Sequence, residues 1–252
     1  SSDVCSSDLN RKNKILQMLQ QSDVLTYQEL AEALNVSTMT VRRDVAELSK
    51  ENAIIKEHGG VRRVTFKVKT TDEKRLLFPE EKDYIAQLAA DLIAPKSVIY
   101  LGAGTTILAL AKRLKNDHKH IITNSLFTFN WLVEHHFENV LLTGGEFVAK
   151  SEEFHGEHAE RLVKDFSIDY AFLATNGMID DNLTTFSPFS GRLQSLAINQ
   201  AKNVYLLADH SKFGVSDSYI FGKASQLDAI ISDSKLDTET KKHYQQFTDV
   251  IN

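Results

Sequence analysis

The sequence predicts an α/β fold in two parts: a small helical module closed by a glycine-tipped hairpin, then a larger, doubly wound parallel sheet. Three observations predict it. Apolar residues recur at helical spacing in three stretches between Asn10 and Lys50, and two short β-like runs follow. From Glu80 short apolar strands alternate with helical stretches, the pattern of a mostly parallel sheet with helices on both faces. At 252 residues the chain is long enough for a small and a medium domain.

The first nine residues, "SSDVCSSDL", are nearly a tandem copy, polar and without period. They begin without Met and read as a cloning or sequencing scar or a disordered tail. Between Asn10 and Val64, Ile15, Leu16 and Leu19 mark a first helix. In "LTYQELAEALNVS", Leu30, Ala31 and Leu34 share a face, and Thr26 with Glu29 forms a capping box. Ser37 caps a third helix, "TMTVRRDVAELSKE", whose Val41, Val45 and Leu48 face the core. Runs over Ala53–Glu57 and Val61–Val64, joined across His58-Gly59-Gly60, complete a winged helix-turn-helix. Thr65 to Pro79 is polar, charged and aperiodic, and is expected to be a linker.

The remainder, 80–252, is expected to carry strands at Val98–Leu101, His120–Thr123, Val140–Leu142, Tyr170–Ala174, Val204–Ala208 and Ala229–Ser232. Helices are expected over Lys82–Leu92, Ile107–Leu114, Phe127–His135, His158–Val163, Leu193–Ala201 and the charged stretch Lys235–Tyr244. Such sheets bind ligands outside the carboxyl ends of their strands, where the Gly/Thr/Asn/Asp clusters of this chain fall.

A net charge of −5 argues against coating nucleic acid or an anionic membrane by bulk charge, but leaves room for a small DNA-reading module. The lone Cys5 suits a reducing cytoplasm, and no apolar run reaches the ~20 residues of a membrane span.

A helix in the major groove must offer short polar side chains for base edges and cations for phosphates. Ser37, Thr38 and Thr40 meet the first need, and Arg42 and Arg43 the second; His58, Arg62 and Arg63 add cationic character on the wing. Alternatively, Arg42 and Arg43 solvate a helix face by pairing with Asp44 or Glu47. "YLGAGTT" (Tyr100 to Thr106) reads as a strand end running into a phosphate loop. Gly102 and Gly104 admit an anion to the backbone, and Thr105 and Thr106 add hydroxyls. Thr123, Asn124 and Ser125 follow a second strand; Gly144, Gly145 and Glu146 follow a third. With Asn176 and the cation Lys212 they make a composite polyol-phosphate pocket. His155 with His158, and the adjacent His135 and His136, lack a third ligand at metal spacing, so no metal is expected. No cofactor is implied.

"NVSTMTVRRDVAEL" followed by "IIKEHGGV" resembles the DeoR family of bacterial sugar-metabolism repressors. "GAGTT", "TNS", "TGGE", "TNG" and "ADHSKFG" continue the resemblance in family order. It implies a C-terminal domain similar to ribose-5-phosphate isomerase and glucosamine-6-phosphate deaminase, operator DNA and a phosphorylated sugar as partners, and a homodimer or homotetramer on repeated half-sites. The likeness to lactose phosphotransferase-type repressors implies tagatose 6-phosphate as effector. The alternative is a phosphosugar isomerase or deaminase with a DNA-binding appendage. Isomerisation needs a carboxylate or His, whereas the loop Ala174-Thr175-Asn176-Gly177 carries neither, and Asp180-Asp181 reads as a turn. A regulator without catalytic residues is therefore expected. One departure stands out: Ser187, Ser190 and Arg192 occupy a stretch that is acidic in many family members.

Overall fold

The computed structural model describes residues 11–252 except 13, 20, 21, 23, 51–53, 58 and 64–70; the side chains of 50, 55, 57, 62, 63 and 72 are also outside the description. Contacts divide the chain into two compact units, 1–67 and 68–252.

In the first unit, α1 (11–19) packs against α2 (Tyr27–Leu34) and α3 (Thr38–Lys50). Their shared core is Ile15, Leu19, Leu30, Val41, Val45 and Leu48, as the helical period predicts. The Thr26 capping box is present: Glu29 N–H donates to Thr26 Oγ1 at 3.1 Å, and Thr26 N–H donates to Glu29 Oε2 at 2.7 Å. Asn35, in the left-handed region at φ 52°, ends α2 and sets the turn into α3. The wing strands are β2 (Ile54–Glu57) and β3 (Gly60–Arg63), paired antiparallel. A strand not expected from the sequence, β1 (Val24–Thr26), adds to β3, so the wing is three-stranded in the order β1-β3-β2. Gly60 belongs to β3 rather than to the turn; a Cβ there would lie 2.5 Å from the Leu25 carbonyl oxygen, so the close β1 contact requires glycine.

The second unit opens with α4 (Thr71–Arg75) and α5 (Pro79–Ala90), then β4 (Val98–Leu101), α6 (Thr105–Ala111), β5 (His120–Thr123), α7 (Leu126–Glu134) and β6 (Val140–Leu142). A short antiparallel hairpin, β7 (Glu146–Val148) and β8 (Glu153–His155), precedes α8 (Glu157–Asp165) and β9 (Ile168–Ala174). Strands β10 (Gly177–Ile179) and β11 (Asn182–Thr185), α9 (Pro188–Gln200), β12 (Ala201–Leu207), β13 (Tyr219–Lys223), β14 (Ala229–Ile231), α10 (Thr238–Tyr244) and β15 (Asp249–Ile251) complete it. Seven strands form one parallel sheet in the order β15-β14-β12-β9-β4-β5-β6. Alternate strand residues face two cores. Tyr100, Ile122, Leu173 and Leu206 meet α8, α9 and α10; Ile99, Leu101, Ile121 and Phe172 meet α5, α6 and α7. The strand order reverses between β4 and β9, which makes their carboxyl ends the crevice of the sheet.

Two expectations are corrected here. Residues 71–79, read as linker, are largely helical: α4 and the start of α5 belong to the second unit. Their polar residues hide the period, and Lys74 bonds Asn176 rather than facing a core. Helix α6 begins at Thr105, not Ile107, because the chain enters it directly from Gly104. Asp180, at φ 47°, and Asp181 form the expected turn, between β10 and β11.

Candidate functional site

In the first unit, the exposed face of α3 presents Thr38, Met39, Arg42 and Arg43 opposite the buried Val41, Val45 and Leu48. Ser37 is the N-cap: its Oγ accepts from Thr40 N–H at 3.1 Å and lies 2.9 Å from Thr40 Oγ1. Ser37 and Thr40 thus already bond each other, which leaves Thr38 the better placed of the three hydroxyls. The Arg42 guanidinium lies 5.2 Å from the centroid of the Tyr27 ring, a cation–π contact that directs it from the start of α2. Asp44, considered as a surface partner for the arginines, instead turns inward. It is 1% exposed and takes two bonds from Arg11, at 2.5 and 3.1 Å. Glu47 pairs with Lys12 at 2.6 Å. Arg62 and Arg63 lie on β3, with side chains outside the description; His58 lies outside the described residues.

In the second unit the motif residues gather at the carboxyl ends of the sheet. After β4, Gly102 N–H donates to Phe172 O of β9 at 2.9 Å, across the switch point. Gly104 has φ 153°, and a Cβ there would lie 2.8 Å from the Ala174 Cβ, so only glycine fits without displacement. Thr105 is half-buried and Thr106 is buried at the start of α6.

After β5, three motif side chains serve the scaffold. Thr123 Oγ1 accepts from Ser125 N–H at 3.1 Å, and Ser125 Oγ caps α7 by accepting from Thr128 N–H at 3.3 Å. Asn124 accepts from the buried Tyr100 hydroxyl at 3.2 Å and donates to Phe154 O at 3.3 Å. Gly144 and Gly145 turn the chain into β7 with φ 65° and 103°. Gly145 is obligatory, since a Cβ would meet His155 O at 2.2 Å. Glu146 is exposed on β7.

After β9, Asn176 accepts from Lys74 Nζ at 3.2 Å and donates to Asp217 Oδ2 at 2.7 Å. Lys212 follows β12 on a short turn capped by the buried Asp209. It has neighbours that the sequence reading missed. Burial, then the charge of Lys212, holds the Lys74 ammonium below the ordinary lysine range. Burial likewise brings Lys82 down to about 8, with Asp209 opposing the shift and Lys212 and Lys74 adding to it. Lys82 Nζ donates to the carbonyls of Lys74 and Leu77 at 2.5 and 2.6 Å, which ties α4 to α5. Arg75 pairs with Glu152 at 3.4 Å and lies over the Phe127 ring. Three lysines from three places in the sequence therefore act on one another at one end of the sheet. Like charges held together in a partly dry site are an arrangement an anion stabilises.

Carboxylates are also present, although the loop after β9 has none. Ser190 of α9 donates to Glu153 Oε2 at 3.1 Å, and burial pushes Glu153 up to about 7. Ser187 caps α9, and Arg192 is exposed. The histidines considered for metal are separated in exposure: His155 is 2% exposed and His158 is exposed. Among the described residues no group of three or more His, Cys, Asp or Glu converges.

Residues 11–66 match a family model described as the DeoR-like helix-turn-helix domain, and residues 78–234 match the DeoR C terminal sensor domain. The chain is 36% identical over 248 residues to the lactose phosphotransferase system repressor of Staphylococcus epidermidis, covering 96% of this chain and 98% of that protein. It is 34% identical to the repressor of the same name from Lactococcus lactis subsp. lactis, covering 96% and 97%. To the glycerol-3-phosphate regulon repressor of Escherichia coli it is 31% identical, covering 89% and 90%. Among solved structures, ribose 5-phosphate isomerase A from Methanocaldococcus jannaschii shares 16% identity at a TM-score of 0.40, over 54% of each chain. No helix among the described residues is long and apolar enough to cross a membrane.

Proposed function

The chain belongs to the DeoR family of transcriptional repressors, and from that premise we propose that its larger unit binds a phosphorylated sugar and so releases its winged unit from a sugar-operon operator. The protein is a DNA-binding regulator, not an enzyme: the full-length relatives are repressors.

The observation that supports the effector reading is the mutual action of Lys74, Lys82 and Lys212, with Lys74 bonded to Asn176. A phosphate would relieve the mutual repulsion of the lysines, and Asn176 and Asp217 offer hydrogen bonds to hydroxyls. The resemblance to lactose phosphotransferase-type repressors makes tagatose 6-phosphate the first candidate. Lys74 stands on α4, the first element after the stretch that leads from the DNA-reading unit. A ligand that draws Lys74 from Asn176 therefore acts on the segment that continues toward the winged helix. Release is a population shift, in which the ligand favours the arrangement that binds operator poorly. On DNA, Thr38 and Arg42 lead the contacts, with Arg43, Arg62 and Arg63 on phosphates, and repeated half-sites call for a homodimer or homotetramer.

Thermal unfolding with a panel of hexose and pentose phosphates tests the effector reading. A ligand at a hundred times its Kd should stabilise the full chain by about 2.7 kcal/mol. No shift with any of them would refute it.

A further inference from the structure

Phosphate recognition leaves one half-buried acid without a task. Glu153, on β8, is stitched to the site by its backbone: residues 125 and 153 form a β-bridge, and Phe154 N–H donates to Asn124 O at 2.8 Å. Its carboxylate accepts from Ser190, itself 3% exposed, and acts on both Lys74 and the buried Tyr100 hydroxyl. The Ser151 hydroxyl, shielded from water, also faces this carboxylate and favours its ionised form. No cation is bonded to Glu153 among the described residues.

A half-buried carboxylate held by neutral serine hydroxyls retains free lone pairs. We propose that Glu153, positioned by Ser190, reads the hydroxyl groups of the effector and sets which polyol phosphate the protein accepts. The lysines hold the phosphate, and the carboxylate accepts hydrogen bonds from hydroxyls on the carbon chain. The ligand class is a phosphorylated polyol with at least one free hydroxyl within reach of its phosphate. Burial raises the proton affinity of the Glu153 carboxyl, and hydroxyl donors stabilise its ionised form. The inference rests on the effector reading above.

The test measures binding of inorganic phosphate and of a set of epimeric sugar phosphates to the full chain by titration calorimetry, for wild type, Glu153→Ala and Ser190→Ala. Glu153→Ala should weaken the preferred sugar phosphate about tenfold or more while leaving inorganic phosphate within about twofold. Ser190→Ala, which keeps the carboxylate but unties it, should narrow the difference between epimers and keeps the test open if Glu153→Ala does not fold. Unchanged ranking of the epimers in the folded variants, or equal loss for phosphate and sugar phosphate, overturns the assignment while leaving the effector reading intact. Failure of wild type to bind any sugar phosphate overturns both.

Discussion

Arg11→Ala should cost the DNA-reading unit more than Asp44→Ala, although both break the same pair. Asp44 is 1% exposed on its side chain, whereas Arg11 retains 14%. Removing Arg11 strands a buried carboxylate that faces the α1–α3 interface, a loss of about 3–5 kcal/mol. Removing Asp44 leaves a guanidinium already at the edge of water, which can swing outward. That loss is the charge-assisted bonds alone, about 1.5–3 kcal/mol. The unit is small, so the larger figure is a substantial share of its stability. The assay is hydrogen exchange by mass spectrometry on the full chain, read separately for amides of α3 and of the parallel sheet. Arg11→Ala should raise exchange across α3 and leave β4, β5 and β9 protected. Equal effects of the two variants, or a loss below about 1 kcal/mol for Arg11→Ala, would refute the reasoning from burial.

Three other outcomes follow from the same geometry. Arg42→Ala should weaken operator binding and reduce the salt slope by about one, read by fluorescence anisotropy across a salt series; an unchanged slope returns Arg42 to its contact with Tyr27. Gly104→Ala should destabilise the larger unit by about 1–3 kcal/mol, since the φ and the Ala174 contact both oppose a side chain; chemical denaturation that shows no loss contradicts this. Glu153 has a folded pKa raised from 4.5 to about 7, so the folded state holds the proton more tightly. Its favourable contribution is complete below pH 4.5 and is lost as pH rises through 7, on the order of 3 kcal/mol in all. Glu153→Gln should flatten that part of the pH–stability curve; a parallel curve would show that the carboxyl titrates normally.

Strands β4, β5 and β6 are legible in the sequence, since strands covered on both faces read as continuous apolar runs bounded by turn residues. The strands that escaped the sequence reading, β1, β7, β8, β10, β11, β13 and β15, are three to five residues long. Six of them lie in small antiparallel sheets, where tertiary pairing rather than periodicity decides the conformation. Glycines 60, 104 and 145 could be read as turns or close approaches because each lies in a recognisable motif. The lysine cluster could not. Lys74 lies in a charged stretch that looks like linker and Lys82 opens an expected helix, and only the fold brings them to Lys212. Asp44 shows the same limit: one residue beyond two arginines it reads as their surface partner, yet helical rotation turns it toward Arg11. Thr123, Asn124 and Ser125 were visible as a motif, but their scaffold bonds were not.

The central claim is that a ligand at the lysine cluster governs DNA binding by α3, and an operator gel shift with tagatose 6-phosphate tests it most directly. Wild-type protein should bind operator in the absence of ligand and release it as the sugar phosphate is added, while Lys74→Ala should bind operator and fail to release. Operator binding by wild type that no sugar phosphate alters, or release by Lys74→Ala at wild-type ligand concentrations, would contradict the account.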